Sequence, residues 1–202
     1  MNKDTCNYYC VDDAVKALKQ GHLIVYPTDT LYAMGCDIFN IDSVKQMYKV
    51  KQRPFSLPLP VAVADVTMMK SIAYVSDDVK KVVNRFLPGS LTIILPKRKV
   101  VSDVVSAGFD TVAVRIPNNC FALSLLKCFG PVCVTSANIH SKSTAFTIDD
   151  IKKDLGSDVF LYVDAGIIKG IASTIVDMSG DCVSIVREGS ISLKDIKGVL
   201  KE

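Results

Sequence analysis

The chain is poor in the residues that build metal centres: it has only two histidines, and its seven cysteines include no C-x-x-C pair. Histidine and closely spaced cysteine are the usual zinc ligands, so this scarcity argues against a site built around a metal. No apolar run reaches the roughly 18 residues that span a membrane. The N-terminus also lacks the apolar core of a secretory signal, so we expect a cytoplasmic protein with reduced thiols.

Four of the cysteines stand within apolar stretches: Cys36, Cys128, Cys133 and Cys182. Free cysteine behaves as a small hydrophobic residue, so we expect these thiols to be buried. Cys6 and Cys10 lie four residues apart, but a metal pair there would lack nearby histidine partners. His22 and His140 are far apart in sequence, and we expect both to be surface residues. We therefore predict no metal site.

The balance of charge is close to neutral, with a formal net charge of +3 in 202 residues. Such a mild excess does not by itself predict nucleic-acid binding. With 49% hydrophobic residues and a mean hydropathy of +0.29, the chain has enough apolar surface for a large core. These values predict one compact domain over residues 1–202, with the motif-bearing part at about residues 12–190.

Hydrophobic periodicity divides the chain into alternating elements. Helices are predicted at 12–20, 41–51, 76–86, 120–128, 147–155 and 192–200. Strands are predicted at 22–26, 59–64, 91–95, 111–116, 132–135, 160–164, 174–178 and 182–187. The last two strands should form a hairpin around Ser179-Gly180-Asp181. Because helices and strands alternate only loosely, we expect an α/β fold: a single domain with a twisted, mixed parallel and antiparallel sheet flanked by helices.

Five short polar strings follow apolar runs, at residues 27–32, 51–54, 135–138, 173–176 and 187–189. Together they supply hydroxyls, an amide, guanidinium groups and an ammonium, and they contain no histidine. Such groups suit a site that binds phosphates and a small amino acid. Ser136 lacks the G-x-S-x-G surroundings of a hydrolase nucleophile, so a serine hydrolase is not indicated.

The strings also resemble, in order and spacing, the YrdC/TsaC family of threonylcarbamoyl-AMP synthases. The resembling segments are Pro27-Thr28-Asp29-Thr30, Lys51-Gln52-Arg53-Pro54, Arg115-Ile116-Pro117, Thr135-Ser136-Ala137-Asn138, Ser173-Thr174-Ile175 and Arg187-Glu188-Gly189. The similarity implies a YrdC-like fold. The chain is similar to the short form of the family, without an additional C-terminal domain.

The resemblance also implies roles for individual residues. It assigns L-threonine binding to Thr30, Arg115, Ser136 and Ser173. It assigns ATP binding to Lys51, Arg53, Thr111, Asn138, Thr147 and Arg187. Lys51, Arg53 and Ser136 are then the expected catalytic residues.

The implied activity is that of a nucleotidyltransferase, L-threonylcarbamoyladenylate synthase. It would join L-threonine, bicarbonate or CO2, and ATP into threonylcarbamoyl-AMP and pyrophosphate. Mg²⁺ is expected to be carried with ATP rather than held in a protein cage. The product would pass to the machinery that places threonylcarbamoyl on adenosine 37 of tRNA.

Five residues depart from the family pattern: Ala33, Leu57, Ala62, Asn119 and Ala172. They leave open an RNA-binding paralogue with little or no synthase activity. Lys45, Lys49, Lys97 and Arg98 would then contact RNA phosphates, and the affinity would fall steeply with salt. A carbamoyl-transferring domain of the hydrogenase-maturation type is a third interpretation, disfavoured because its accompanying zinc-finger and acylphosphatase-like domains are missing from the sequence.

Overall fold

One nine-stranded sheet organises the described part of the chain, residues 8–201, with side chains described from Val11 onward in this computed structural model. In chain order the strands are β1 Ile24–Pro27, β2 Tyr32–Asp37, β3 Val61–Ala62, β4 Leu91–Pro96, β5 Thr111–Arg115, β6 Val132–Ser136, β7 Leu161–Tyr162, β8 Thr174–Asp177 and β9 Ser184–Arg187. Their spatial order is β7-β1-β2-β6-β3-β5-β4-β8-β9.

The sheet mixes both strand directions. The pairs β1–β2, β2–β6, β3–β6, β4–β5 and β8–β9 are antiparallel. The pairs β1–β7, β3–β5 and β4–β8 are parallel. The predicted mixed sheet is confirmed, as is the predicted hairpin of the last two strands.

Helices flank the sheet on both faces. They are α1 Tyr8–Lys19, α2 Ile41–Lys51, α3 Val66–Ile72, α4 Asp77–Phe86, α5 Asp103–Ser106, α6 Cys120–Phe129, α7 Ile148–Leu155 and α8 Leu193–Leu200, with a 3₁₀ turn at Gly156–Asp158. The six predicted helices are all present, although α1 begins earlier than the predicted start at residue 12. In the described part of the chain, no helix is both long and apolar enough to cross a membrane.

One strand, two helices and the 3₁₀ turn were not predicted: β2, α3, α5 and Gly156–Asp158. The most important is β2, because it lies between β1 and β6 and pairs antiparallel with both. The start of α3 carries a recognisable cap, since the side chain of Asp65 accepts a hydrogen bond from the backbone N–H of Met68 at 2.8 Å. The short α5 is capped by Ser102 in the same way.

The two faces of the sheet are covered by different helices. Alternation along β1 sends Val25 to one face and Ile24 and Tyr26 to the other. Residues of α2, α4, α7 and α8 share one buried cluster with Val25. Helices α1 and α6 pack against each other and over β1, in the cluster that contains Tyr26. This second face is where the cavity described below opens.

The expected burial of the cysteines is only half right. Cys36 and Cys133 are buried, but Cys128 and Cys182 are exposed. Cys128 lies off the buried stripe of α6, and Cys182 lies in the turn between β8 and β9. Apolar neighbours in sequence predicted burial wrongly because helical periodicity and a hairpin turn decide which side chains face out. The side chains of Cys6 and Cys10 lie outside the described residues.

Candidate active site

A cavity of about 490 Å³ lies on the same face of the sheet as α1 and α6. Directly paired residues of neighbouring strands point to the same face, and Ala33 pairs with both Tyr26 and Ser136. Ala62 and Arg115 are paired in the same way further across the sheet. All five residues line the cavity, so this face of the sheet is its floor.

Small side chains on the floor leave the cavity deep. Ala33, Ala62 and Ala113 line it and extend no further than a methyl group. The backbone at Ala33, one of the five departures from the family pattern noted above, forms an ordinary strand. The volume is in the range typical of sites for small molecules and cofactors.

The charge of the cavity lining has one sign. Lys51, Arg53, Arg115 and Arg187 line it, and none of the described residues that line it is an aspartate or a glutamate. A concave surface with four basic side chains attracts anions and raises their local concentration. The cavity therefore favours ligands that carry phosphate or carboxylate groups.

The ammonium group of Lys51 lies in a pocket made by the end of β6 and the residues that follow it. Its Nζ donates to the carbonyl oxygens of Ser136 at 2.7 Å and Asn138 at 2.8 Å, and to Asn138 Oδ1 at 3.0 Å. Ser136 Oγ lies at 3.3 Å from Nζ and donates to Asn138 Oδ1 at 2.6 Å. The Thr-Ser-Ala-Asn string thus surrounds the ammonium with neutral acceptors.

Burial makes Lys51 titratable near neutral pH. The residue is only 3% exposed, and none of the described carboxylates pairs with its ammonium. Burial, with a smaller contribution from the Arg53 charge, lowers the pKa of Lys51 to about 7. An incoming phosphate would supply the missing negative charge and raise this pKa.

Arg53 follows α2 beside Lys51. Gln52 ends the helix in the left-handed region at φ 53°, which turns the chain toward the cavity. Arg53 donates from Nη2 to the Pro58 carbonyl at 2.9 Å and from Nε to the Leu57 carbonyl at 3.2 Å. These bonds fix the guanidinium without neutralising it, and burial lowers its pKa.

Arg115 has a different environment at the other side of the floor. Its Nη2 contacts Asp29 Oδ1 at 2.8 Å, and its Nη1 donates to Thr30 Oγ1 at 2.9 Å. Its Nε donates to the Gly89 carbonyl at 3.0 Å. Arg115 therefore already binds a carboxylate, that of the protein's own Asp29.

Ser173 and Arg187 meet across the C-terminal hairpin. Arg187 Nη2 donates to the Ser173 carbonyl at 2.8 Å, and its distance to Ser173 Oγ is 3.2 Å. Ser173 Oγ also lies 2.8 Å from Thr92 Oγ1. Burial lowers the pKa of Arg187, and the nearby charge of Arg115 adds to this effect.

Two loops meet at the mouth of the cavity. Tyr32 Oη donates to the Gly166 carbonyl at 2.8 Å and accepts from the Ala165 backbone N–H at 2.8 Å, which holds the loop after β7. Further along this loop, a Cβ at Gly170 would lie 2.1 Å from the Thr30 carbonyl oxygen. Only glycine allows this approach, so Gly170 positions the loop directly against Thr30.

Eight of the ten predicted site residues line the cavity: Thr30, Lys51, Arg53, Arg115, Ser136, Asn138, Ser173 and Arg187. Thr111 and Thr147 do not. Thr111 starts β5 opposite Pro96, two residues before the cavity-lining Ala113. Thr147 caps α7, where its Oγ1 donates to Asp150 Oδ2 at 2.8 Å. The cavity is lined by Thr144 instead.

Several residues that line the cavity were not predicted from the sequence: Thr28, Thr92, His140 and Thr144. His140, expected at the surface, is half-buried in the cavity lining, and its backbone N–H donates to the Lys51 carbonyl at 2.7 Å. Thr92 carried a usable signal, because it is a lone hydroxyl on an apolar strand and alternates with Ile94. His22, half-buried, stacks on Phe160 with ring centroids 4.3 Å apart.

The described residues contain no group of three or more histidine, cysteine, aspartate or glutamate side chains that could hold a metal. The cavity also offers a cation no carboxylate among the described residues that line it. Asn119, one of the departures from the family pattern, caps α6 through a 3.1 Å bond from the Ala122 N–H.

Comparison with known proteins places this geometry in context. A putative threonylcarbamoyl-AMP synthase of Methanocaldococcus jannaschii is 35% identical over 182 residues, which cover 90% of this chain and 86% of that protein. A crystal structure of Pyrococcus abyssi Sua5 complexed with L-threonine has a TM-score of 0.92 and 29% identity. It covers 97% of this chain, which spans only 58% of that longer chain.

The crystal structure of Escherichia coli YciO has a TM-score of 0.87 and 27% identity, with 96% of this chain and 95% of that chain covered. The family model of Sua5, YciO and YrdC, described as "Telomere recombination", matches residues 16–189. The chain belongs to the Sua5/YciO/YrdC family.

Proposed function

We propose that the protein is a threonylcarbamoyl-AMP synthase, a nucleotidyltransferase that uses L-threonine, bicarbonate or CO2, and ATP. The observation that carries this proposal is that Lys51 with Arg53 and Arg115 with Thr30 line one cavity, and we assign the first pair to phosphates and the second to a carboxylate. The names of the relatives and the L-threonine in the P. abyssi structure support it.

Arg115 would bind the carboxylate of threonine. Its guanidinium is held by the Gly89 carbonyl and by Thr30, and its remaining partner, Asp29, is itself a carboxylate. The substrate carboxylate would take the place of Asp29 on the same donors, with the geometry that arginine favours.

The reaction needs no nucleophile from the protein. The amino nitrogen of threonine and CO2 form a carbamate, with loss of a proton. A carbamate oxygen then attacks the α-phosphorus of ATP, and the bond to the bridging oxygen breaks to release pyrophosphate. The cavity contributes alignment and positive charge, which are the main requirements of phosphoryl and nucleotidyl transfer.

Lys51 and Arg53 would bind the phosphates of ATP at one end of the cavity, and Arg187, whose charge lies near Arg115, would contact the nucleotide from the other side. Lys51 acts as a point charge held by Ser136 and Asn138, so these two residues position it as well as line the cavity. Mg²⁺ enters as part of the MgATP substrate. Asn138 Nδ2 already donates to the carbonyls of Ile139 and Lys142, so its amide group orients the lysine.

The product would be handed to the enzymes that modify adenosine 37 of tRNA in the cytoplasm. The RNA-binding alternative has less support, because two of its four residues are engaged elsewhere. Lys97 binds Asp103 and Ser106, and Arg98 donates to the Lys70 carbonyl and lies over the ring of Tyr74.

The proposal is tested by pyrophosphate release from ATP, with threonine and bicarbonate each added or omitted. A synthase releases pyrophosphate only when both are present. A folded protein that releases none under any condition would refute the proposal, and RNA binding that weakens with salt would then favour the paralogue.

A further inference from the structure

The hydroxyl of Tyr26 differs from every other buried side-chain nitrogen or oxygen in the described part of the chain, because it has no hydrogen-bond partner. Tyr26 is fully buried, yet it lines the cavity. Buried hydroxyls in proteins are paired in the large majority of cases. An unpaired one at the wall of a ligand cavity marks a place where a bound molecule can supply the partner.

The ring of Tyr26 reaches across the neighbouring strand. A Cβ at Gly35 of β2 would lie 2.8 Å from Tyr26 Cε1 and 3.0 Å from Val132 Cγ1, so the ring lies over this glycine toward β6. Val132 pairs with Ala62, and Ala62 pairs with Arg115. The ring therefore extends over β2 on the side of β6, and the strand register continues from there through Ala62 to Arg115.

The electrostatics agree with this direction. Burial raises the pKa of the Tyr26 phenol, while the charge of Arg115 acts in the opposite sense and is the largest of the charge effects on it. Because burial prevails, the phenol stays protonated and can donate a hydrogen bond across the physiological range. Ala62 pairs with Val132 on one side and with Arg115 on the other, and its side chain is only a methyl group.

Threonine has three polar groups to satisfy, and the proposed function accounts for two of them. Its carboxylate binds Arg115, and its amino group becomes the carbamate that reacts with ATP. The hydroxyls expected to contact the substrate are already engaged: Thr30 with Arg115, Ser136 with Asn138, and Ser173 with Thr92 and Arg187. The side-chain hydroxyl of threonine has no partner assigned so far, and the unpaired phenol of Tyr26 can supply one.

We infer, on the basis of the proposed function, that Tyr26 binds the side-chain hydroxyl of the amino-acid substrate and so selects threonine over amino acids without a hydroxyl. A site that pairs a buried polar group with a substrate hydroxyl rejects the analogue lacking it, because the protein group is then left unpaired. Valine has the shape of threonine without the hydroxyl, so it is the informative competitor.

The test measures binding of L-threonine and L-valine by calorimetry in the presence of a non-hydrolysable ATP analogue. Wild type should bind threonine at least tenfold more tightly than valine. In Tyr26→Phe, threonine affinity should fall roughly tenfold while valine affinity stays unchanged, since a substrate hydroxyl would then lack its partner. The melting temperature of the free variant should not fall, because no hydrogen bond within the protein is lost.

Tyr162→Phe is the matched control. Its hydroxyl donates to the Gly156 carbonyl at 2.7 Å, away from the cavity, so its removal should leave the threonine-to-valine ratio unchanged. A Tyr26→Phe variant that keeps the wild-type ratio would overturn the inference, as would an equal loss for both amino acids. Wild type that binds neither amino acid would refute the proposed function itself, and the inference with it.

Discussion

Lys51 and Arg115 both bring positive charge to the cavity, but the protein surrounds them differently. Lys51 is held by carbonyl, hydroxyl and amide oxygens, and its pKa falls to about 7. Arg115 is paired with the carboxylate of Asp29. An uncompensated cation favours a ligand that adds negative charge, whereas a compensated one favours a ligand that replaces its partner. The difference separates a phosphate end from a carboxylate end.

Removing the cation at the phosphate end should have the largest effect. In Lys51→Ala, we expect pyrophosphate release to fall about 10²- to 10³-fold, the usual cost of losing a charge-stabilising donor in the transition state. The measurement is the steady-state rate with saturating threonine and bicarbonate. Lys49→Ala, an exposed change on the same helix, is the control and should keep the wild-type rate. An equal loss in both variants would contradict the role of Lys51.

Removing the cation at the carboxylate end should weaken threonine and spare ATP. In Arg115→Gln, we expect the KM for threonine to rise about 10²-fold, because a charged hydrogen-bonding pair is lost. The KM for ATP should change little. Arg85→Gln, on the exposed face of α4, is the matched control. A rise confined to the KM for ATP would reverse the proposed orientation of the two substrates.

The pH profile should report on Lys51, because burial lowers its pKa to about 7. The charged lysine is the active form, and it loses its proton as pH rises through about 7. We expect kcat/KM for ATP to fall about tenfold for each pH unit well above that value. In the complex, phosphate charge raises the pKa, so kcat should hold to higher pH. A kcat/KM that stays level to pH 9 would contradict this account.

Removing the negative charge of Asp29, which pairs with Arg115, should produce the smallest effect. This change should strengthen threonine binding rather than weaken it. In Asp29→Asn, the side chain still accepts a hydrogen bond but no longer competes as an anion. We expect threonine affinity to rise about threefold, because a neutral amide competes less strongly than a carboxylate for the guanidinium. Asp154→Asn, which alters the pair with Lys142 at 3.0 Å outside the cavity, should leave threonine binding unchanged. Weaker threonine binding in Asp29→Asn would show that Asp29 supports the site rather than competing.

The sequence predicted most elements because their patterns were local. Helix α2 agrees to the residue, since its apolar spacing lies within the segment and its cap, Asn40, immediately precedes it. Strand β2 was missed because its Ala-Met-Gly-Cys run has weak strand propensity, and its structure depends on pairing with β1 and β6. The cap at Asp65 could have revealed α3.

Site residues that lie on strands could be predicted from the sequence, whereas those that lie in loops were harder to predict. Arg115 alternates with Ala113 along β5, so its position follows from period two. His140 and Thr144 reach the cavity through the irregular segment after β6, which local patterns do not describe. The pairing of Arg115 with Asp29 joins residues far apart in sequence, and only the folded chain shows it.

The most direct test of the two-ended cavity is a cross-comparison of binding by calorimetry. A non-hydrolysable ATP analogue and L-threonine would each be titrated into wild type, Lys51→Ala and Arg115→Gln, with folding verified by circular dichroism. Lys51→Ala should lose affinity for the nucleotide and keep it for threonine, and Arg115→Gln should do the reverse. If both variants lost the same ligand to the same extent, the division into a phosphate end and a carboxylate end would be wrong.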